Sequence, residues 1–268
     1  MTSTPHRALV TGASSGIGAA FARELAGRGC DLVLTARRED RLRTLADELH
    51  AKHGIDAQVI AADLSQADAP RNIVDEITRR GLHVDVLINN AGYGVPGDFL
   101  ASDWQTHADF IHVLMVAPTE LCHRLLPAMR ERGYGRIVNV ASLAGLVPGT
   151  PKHTLYAAAK SYLMKFSESL ALENRAHDVN VCALCPGFTY SEFHDVTGAR
   201  QKVSKMPGWL WMPADEVVRL GLDAAERGRI VYVTGRVNRA IKALFKLLPD
   251  RIALKVIERR ARDFRVEK

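Results

Sequence analysis

The stretch TGASSGIG, Thr11 to Gly18, directly follows a short apolar run and opens a helical pattern. Its three glycines permit a tight turn and a close backbone approach, and the free N–H groups at a helix N-terminus attract a pyrophosphate. The order G-x-x-x-G-x-G differs from the G-x-G-x-x-G fingerprint, so a purely structural turn is the alternative. The position between a first strand and a first helix favours phosphate binding. The predicted contacts are Gly12, Ser14, Ser15, Gly16, Ile17 and Gly18.

Strand-like apolar runs and helical patterns alternate along the chain. The runs are nearly continuous in Val, Ile, Leu and Ala, which is typical of strands that are covered on both faces. The predicted strands are Ala8–Thr11, Asp31–Ala36, Ala57–Ala61, Val84–Ile88, Arg136–Ala141, Val179–Leu184 and Ile230–Val233. The predicted helices are Ile17–Arg28, Glu39–His53, Gln66–Arg80, Ser102–Arg132, Thr154–His177 and Pro213–Arg227. This order predicts an α/β fold: a Rossmann-type doubly wound parallel sheet of about seven strands with helices on both faces, in a single domain over residues 1–268.

Composition excludes several classes of protein. The 268 residues are 47% hydrophobic and 25% charged, which excludes a disordered chain. No apolar run approaches the ~18 residues of a membrane-spanning helix, and the first residues lack a secretory-signal pattern, so we expect a cytoplasmic location. Four cysteines are too few for a disulfide scaffold, and we expect Cys182 and Cys185 to be buried thiols rather than a redox pair. The histidines show no ligand spacing, so we expect no metal site.

Positive charge is concentrated at the end of the sequence. Residues 236–268 carry eleven Lys or Arg and four Asp or Glu, a balance of +7, whereas the whole chain has a net charge of +6. Five apolar side chains of this segment fall on one helical face: Val237, Ile241, Leu244, Phe245 and Leu248. We therefore expect a basic amphipathic helical tail. Packing on the body or on a sister subunit is the favoured role, contact with an anionic membrane surface is second, and nucleic acid is not an expected partner.

The second predicted strand is followed by Arg37 and Arg38, where an NAD site would place an acidic residue against the ribose 2′-hydroxyl. A guanidinium group pairs well with phosphate, so we interpret Arg37 as the partner of a 2′-phosphate, with Arg38 second. This predicts NADP(H) as the cofactor. The alternative is that both arginines form the solvated start of the next helix. Asp63, after the third strand, could bond an adenine amino group or cap the following helix.

Ser142, Tyr156 and Lys160 carry the strongest chemical signal. Tyr156 and Lys160 are four residues apart in a predicted helix, so they share a face. A tyrosine with a pKa of ~10 is a poor acid or base at neutral pH, but a nearby ammonium group and an oxidised nicotinamide lower that pKa. Ser142 ends the fifth strand, where it could hold a substrate oxygen. We predict these three as the catalytic residues.

Six motifs occur along the chain in a specific order and spacing. They are TGASSGIG at Thr11–Gly18, AADL at Ala61–Leu64, NNAG at Asn89–Gly92, VNVAS at Val138–Ser142, YAAAK at Tyr156–Lys160 and CPG at Cys185–Gly187. Together they resemble the short-chain dehydrogenase/reductase family over nearly the whole chain. The resemblance implies NAD(P)-dependent hydride transfer between a carbonyl and an alcohol, and Arg37 is similar to the NADP-preferring members. It also implies a homodimer or homotetramer formed through the two long helices.

The resemblance further implies roles for individual residues. Tyr156 is the proton donor or acceptor, Ser142 stabilises the substrate oxygen, and Lys160 holds the nicotinamide ribose and lowers the tyrosine pKa. Asn89 steadies the sheet. The implied cofactor contacts outside the glycine turn are Arg37, Arg38, Asp63, Leu64, Asn90, Ala91, Gly92, Tyr156, Lys160, Pro186, Gly187 and Thr189.

One position departs from the family pattern. The family usually has an asparagine in the long helix before the fifth strand, where it completes a water-linked proton relay behind the lysine. Leu114 stands at that place here, and no Asn occurs between Asn90 and Asn139. Pro118 removes a helix N–H and could free a carbonyl group. We therefore expect either a relay that runs through a backbone carbonyl and water, or a weakened one.

Residues 188–212 lack a clear periodicity but are rich in aromatic and methionine side chains, which favours a substrate lid at the carboxyl edge of the sheet. An apolar lid suits hydrophobic or bulky ketones and secondary alcohols, or 3-oxoacyl groups on a lipid chain; a subunit contact would also explain it. The sequence thus predicts an NADP(H)-dependent ketoreductase or alcohol dehydrogenase. The alternative is a catalytically weakened NADPH-binding regulatory module, which the missing asparagine permits.

Overall fold

A computed structural model describes residues 5–190 and 207–263. Its strands are β1 (Arg7–Thr11), β2 (Asp31–Thr35), β3 (Ala57–Val59), β4 (Val86–Asn89), β5 (Gly135–Val140), β6 (Val179–Cys185), β7 (Phe188–Tyr190), β8 (Trp211–Pro213) and β9 (Val231–Val233). Seven of them form one parallel sheet in the order β3-β2-β1-β4-β5-β6-β9. Each predicted run overlaps one of these seven strands, so the predicted Rossmann-type sheet is confirmed.

Helices connect the strands on both faces. They are α1 (Gly16–Gly27), α2 (Glu39–His53), α3 (Ala69–Arg79), α4 (Trp104–Ile111), α5 (Ala117–Glu131), α6 (Thr154–Asn174), α7 (Ala214–Glu226), α8 (Arg236–Leu247) and α9 (Asp250–Asp263). Local sequence sets some of the ends. The Asp103 carboxylate accepts the N–H of Thr106 at the start of α4, and Gly54 ends α2 in the left-handed region, with φ of 67°.

Alternation along the strands buries both faces of the sheet. In β1, Ala8 and Val10 belong to the apolar cluster that includes α1, α2 and α7, whereas Leu9 belongs to the cluster that includes α3 and α5. All three side chains are fully buried. A strand covered on both sides has no polar face, which is why the strands read as continuous apolar runs. Because helices cover both faces, a ligand reaches the sheet at its carboxyl edge and at the loops that follow the strands.

The predicted continuous helix Ser102–Arg132 is interrupted in the structure, which corrects that prediction. A π turn over His112–Val116 separates α4 from α5. In this turn the N–H of Ala117 donates to the carbonyl of His112 instead of continuing the α-helical ladder. Pro118 comes next and has no N–H, so the ladder is also broken there.

β7 and β8 both lie in the predicted lid and pair in parallel as a separate two-stranded sheet. The sequence pattern did not predict this pairing. The ring of Trp211 packs against Phe188 and Tyr190, with centroid distances of 5.5 and 4.9 Å. Residues 191–206, which hold much of the predicted lid, lie outside the described residues.

The predicted tail folds as two helices, α8 and α9, as far as Asp263. Within the fully described helix α8, Asn238 is the one buried residue. Of the apolar stripe, Leu244 is 56% exposed and the other four side chains are half-buried. Leu247, which lies outside the stripe, is 83% exposed. Packing on the body therefore accounts for only part of the stripe. Among residues 5–190 and 207–263, no helix combines the length and the apolar character that crossing a bilayer requires.

Candidate active site

The glycine turn between β1 and α1 has little room for side chains. Gly12 and Gly16 have φ of 66° and 55°, in the left-handed region that favours glycine. A Cβ on Gly18 would lie 2.1 Å from the carbonyl oxygen of Gly12, so a side chain there would collide with the backbone. α1 begins at Gly16, and its first N–H groups are available to a phosphate. Ile17 packs against the core from the first turn of α1.

Thr11 joins this turn to the loop after β4. Its hydroxyl donates to the carbonyl of Ile88 (3.1 Å) and accepts from the N–H groups of Asn90 (2.9 Å) and Ala91 (3.0 Å). The side-chain amide of Asn90 donates from Nδ2 to the backbone carbonyl of Thr11 (3.0 Å). The glycine turn and the Asn-Ala-Gly segment that ends at Gly92 are thus held together as one edge. Sequence reasoning assigned Thr11 no contact of its own, although its place at the end of β1 was the available signal.

The two arginines after β2 behave differently. Arg38 donates to the hydroxyl groups of Ser14 (3.1 Å) and Ser15 (2.9 Å), so it folds back over the glycine turn. Arg37 is exposed, and the described part of the chain offers it no ion pair or hydrogen bond. Arg37 is therefore the guanidinium that is open to a phosphate, whereas Arg38 links the second strand to the turn.

Asp63 and Leu64, after β3, make local and long-range contacts. The Asp63 carboxylate accepts the N–H of Ser65 at 3.0 Å, within the turn that precedes α3. The N-cap of α3 is Asp68, so the expectation that Asp63 caps the following helix is wrong. The carbonyl of Leu64 lies 2.8 Å from Nδ1 of His112, so this nitrogen carries the proton and donates. The loop after β3 is thereby fixed to the π turn.

Ser142, Tyr156 and Lys160 meet beside the end of β5. The Ser142 hydroxyl accepts the N–H of Ala144 (3.1 Å) and is hydrogen-bonded to the Tyr156 side chain. The ammonium nitrogen of Lys160 is buried and donates to the carbonyl of Val140 at 2.7 Å. It lies 5.6 Å from the centroid of the Tyr156 ring. The structure therefore brings the three predicted catalytic residues together.

Burial dominates the electrostatics of this trio. Burial raises the pKa of Tyr156 to about 12, and the hydrogen bond from Ser142 acts in the opposite direction. Burial lowers the pKa of Lys160 to about 8. At neutral pH the phenol is therefore neutral and the amine is protonated. A bound positive charge beside the phenol would favour its ionised form.

Gly145 lets α6 approach this loop closely. A Cβ on Gly145 would lie 2.7 Å from backbone atoms of Lys160 and Ser161, and the Ser161 hydroxyl donates to the Gly145 carbonyl at 2.7 Å. A larger residue would push Tyr156 and Lys160 away from Ser142. Sequence reasoning did not select Gly145, because a lone glycine three residues after a motif carries no specific signal.

The predicted nicotinamide-side residues lie where β6 ends and α8 begins. The carbonyl of Pro186 accepts the N–H of Leu143 (2.8 Å), which ties this segment to the Ser142 loop. A Cβ on Gly187 would lie 2.4 Å from the Asn238 amide. The hydroxyl of Thr189 donates to the Gly187 carbonyl at 3.2 Å rather than pointing freely into the site. Asn238 was not predicted; as a polar residue inside the apolar pattern of α8, it was visible but uninterpreted.

The sequence predicts that Cys182 and Cys185 are buried thiols and that the chain has no metal site. Cys182 and Cys185 are buried in β6, and burial raises the pKa of both thiols to about 12, so they are poor nucleophiles. All four cysteines are free. Within residues 5–190 and 207–263, no group of three His, Cys, Asp or Glu side chains is placed to hold a metal ion.

The chain matches the model of the short chain dehydrogenase family over residues 6–202, so it belongs to that family of oxidoreductases. A curated relative, the very-long-chain 3-oxoacyl-CoA reductase of Anas platyrhynchos, is 34% identical over 71% of this chain. The chain spans less than two thirds of the length of some curated relatives, 62% in that case and 65% in another.

Two solved structures are similar over most of their length. A short-chain dehydrogenase from Sphingobium yanoikuyae in complex with NADPH has a TM-score of 0.79 and 29% identity, covering 91% of this chain and 96% of that one. The bulky-bulky ketone specific alcohol dehydrogenase from Comamonas testosteroni has a TM-score of 0.75 and 29% identity, covering 92% and 96%. Both agree with the fold derived above.

Proposed function

We propose that the protein is a single-domain, NADP(H)-dependent oxidoreductase that interconverts ketones and secondary alcohols. The observation that carries the proposal is the meeting of Ser142, Tyr156 and Lys160 at the carboxyl edge of the sheet. Two hydrogen-bonded hydroxyl groups can hold one carbonyl oxygen between them, and a buried ammonium group supports the proton transfer. The glycine turn on the same edge fits the pyrophosphate of a dinucleotide.

Each residue of the trio has a distinct task in this reaction. When bound, the nicotinamide cofactor supplies the hydride in reduction or accepts it in oxidation. Ser142 orients the substrate oxygen. Tyr156 gives its hydroxyl proton to that oxygen in reduction and takes the proton back in oxidation. Lys160 holds positive charge one helical turn from the phenol, which stabilises the phenolate.

Arg37 supports NADP(H) over NAD(H). It is exposed after β2, where an acidic residue would otherwise accept the ribose 2′-hydroxyl, and it is open to a phosphate. The Sphingobium structure, which is similar to this chain, contains NADPH. Gly12, Gly16 and Gly18 would hold the pyrophosphate, with Asn90 lining the cofactor.

Apolar side chains at the carboxyl edge support a hydrophobic or bulky substrate. The segments that follow β4 and β6, the second of which includes β7, expose four large ones: Phe99, Leu100, Tyr190 and Trp209. A small cavity beside Tyr156 is lined in part by Val95, Phe99, Phe110 and Leu155. The Comamonas neighbour acts on bulky-bulky ketones, which favours this class. The 3-oxoacyl-CoA reductase of Anas platyrhynchos favours a second candidate function, the reduction of a 3-oxoacyl group on a lipid chain.

A regulatory module that binds NADPH without turnover is the rival function. The missing asparagine at Leu114 favours it, but the intact hydrogen bond between Ser142 and Tyr156 and the buried Lys160 argue for catalysis. Replacing Tyr156 by phenylalanine separates the two functions.

Tyr156→Phe removes the proton donor and leaves the ring. We expect the wild type to consume NADPH with aryl or long-chain ketones faster than with small polar ketones. We expect the variant to lose at least about a hundredfold in kcat, because a positioned acid contributes at least that factor, while its Kd for NADPH stays unchanged. The decay of NADPH absorbance measures the rates of turnover, and fluorescence titration measures the Kd for NADPH. Retained turnover in the variant contradicts the role of Tyr156, and NADPH binding by a wild type that reduces no ketone favours the regulatory module.

Arg37→Ala removes the open guanidinium. Arg43→Ala is its matched control, because Arg43 lies six residues further on, in α2, and is already paired with Glu39. We expect the KM for NADPH to rise about tenfold in the first variant, since a charge-assisted hydrogen bond is lost. The KM for NADH should not change in either variant. Steady-state kinetics with both cofactors measure the ratio. An equal loss for NADH and NADPH would remove the 2′-phosphate role.

We also propose that the tail rests on an anionic membrane surface. The tail consists of α8 and α9. α8 contains four basic and no acidic residues, and the two helices expose apolar side chains, among them Leu244, Leu247 and Leu254. Positive charge beside exposed apolar groups fits a surface of anionic lipid headgroups.

A second copy of the tail would repel the first, so a homodimer or homotetramer is better supported through α4 to α6, where Trp104 and Val116 are exposed. The location proposed is the cytoplasmic side, which the four free cysteines favour.

The membrane proposal is tested by sedimentation with vesicles of phosphatidylcholine alone or with phosphatidylglycerol. We expect binding only to the anionic vesicles, reversal by salt, and loss in the double variant Leu244→Gln/Leu247→Gln. Leu172→Gln, an exposed leucine on α6, is the control and should bind like the wild type. If the double variant binds vesicles normally, or turns an oligomer into monomers in solution, Leu244 and Leu247 do not form a membrane contact.

A further inference from the structure

His107 is a buried histidine in the wall of the small cavity beside Tyr156. It lies on α4 and is only 6% exposed. Its Nε2 lies 2.8 Å from the carbonyl oxygen of Phe99, and because a carbonyl can only accept, Nε2 carries the ring hydrogen. In the neutral ring, Nδ1 is then an acceptor. This nitrogen is buried and has no hydrogen-bond partner among the described residues.

The unpaired nitrogen of His107 distinguishes it from the other polar groups of the cavity wall. Asp98 and Thr154 are exposed, so water can satisfy their side chains, and Tyr156 is bonded to Ser142. Within residues 5–190 and 207–263, five buried side-chain atoms lack a partner, and Nδ1 of His107 is the one whose residue lines this cavity. Buried polar atoms nearly always have a partner, so the cavity offers an acceptor that a bound molecule can satisfy.

The rest of the wall is largely apolar and is held in place by the backbone. Val95, Phe110 and Leu155 contribute apolar side chains. The N–H of Gly97 donates to the carbonyl of Lys152 at 3.0 Å, which joins the loop after β4 to the loop before α6. Lys152 has a φ of 68°, in the left-handed region that a residue with a Cβ rarely adopts, so the surrounding structure fixes this junction. A cavity of this kind suits an apolar group that carries one hydrogen-bond donor.

His107 also holds Phe99 at the rim of the cavity. The two rings are stacked, with centroids 4.6 Å apart and planes inclined by 15°, and Phe99 is 43% exposed. The two nitrogens of His107 therefore differ in their surroundings: Nε2 is used by the rim, and Nδ1 is left for a ligand. Substitution can separate them, because the amide nitrogen of a glutamine can replace Nε2 and the amide oxygen of an asparagine can replace Nδ1.

We propose that His107 is a specificity-determining residue that accepts a hydrogen bond from a hydroxyl group of the substrate. The proposal rests on the function proposed above, because the cavity borders the phenol of Tyr156 that serves the substrate carbonyl. It narrows the substrate class to ketones, and the corresponding secondary alcohols, whose apolar part carries a hydroxyl donor. A substrate without this donor fills the cavity and leaves Nδ1 unpaired, so the site disfavours it.

Benzylacetone and its ring-substituted derivatives are the probes for this proposal. The derivatives carry a hydroxyl or a methoxy group at the ortho, meta or para position, and a methoxy group cannot donate a hydrogen bond. We expect the wild type to reduce the best hydroxyl derivative with a kcat/KM about tenfold above that of its methoxy counterpart and of benzylacetone, because a hydrogen bond to a buried acceptor is gained. The decay of NADPH absorbance measures these rates.

Two variants of His107 test which nitrogen is responsible. His107→Gln keeps a donor for the Phe99 carbonyl and removes the acceptor at Nδ1, so we expect the preference for the hydroxyl compound to disappear while kcat/KM for benzylacetone stays unchanged. His107→Asn keeps the acceptor and gives up the contact with Phe99, so the preference should remain even where the overall rate falls. His50→Gln is the control, because the His50 ring also bonds a backbone carbonyl, that of Ile55 (2.9 Å), and it should match the wild type.

Equal kcat/KM values for the hydroxyl and methoxy compounds in the wild type would overturn the proposal, and so would a preference that survives in His107→Gln. Either result leaves ketone reduction itself intact, whereas a wild type that reduces none of the compounds is a failure of the proposed function. In that case, Kd values for the same compounds and the NADPH complex, from isothermal titration calorimetry, decide the inference. Binding of a hydroxyl compound about tenfold tighter than its methoxy counterpart, lost in His107→Gln, supports it, and equal Kd values or no binding refute it.

Discussion

The site depends on one buried ammonium group that lies a helical turn from a half-buried phenol. Burial alone works against catalysis, since it lowers the pKa of Lys160 to about 8 and raises that of Tyr156 to about 12. The protein offsets the first effect by aiming the Val140 carbonyl at the amine. It offsets the second through the hydrogen bond from Ser142. The proposed chemistry therefore requires a bound cofactor to complete the charge balance around the phenol.

The parallel sheet makes this arrangement possible. Val140 ends β5 and Ser142 lies two residues further on, while Gly145 lets α6 come close enough to place Lys160 beside them. Thr11 joins the glycine turn to the end of β4, so the phosphate and nicotinamide ends are built on neighbouring strands. Because both faces of the sheet are buried, these strand ends are held by the core rather than by the loops.

The parts of the structure that follow from local pattern could be predicted from the sequence. The seven strands, the glycine turn and the spacing of Tyr156 and Lys160 all depend on periodicity or on short motifs. Long-range contacts could not be predicted. The return of Arg38 onto Ser14 and Ser15, the docking of Asn238 against Gly187 and the pairing of β7 with β8 depend on how distant segments meet. Pro118 predicted a weakened ladder, but the position and form of the π turn depend on packing against α6.

The most direct test of this account is the ionisation of Tyr156 in the complex with oxidised NADP, followed by ultraviolet difference titration. Subtracting the same titration of Tyr156→Phe isolates its phenol from the other five tyrosines. The account predicts that this phenol ionises between about pH 7 and 9 in the complex, and that Lys160→Met moves the transition to higher pH, because the stabilising cation is gone. A phenol that stays neutral up to about pH 12 in the complex, or one whose titration ignores Lys160→Met, would contradict it.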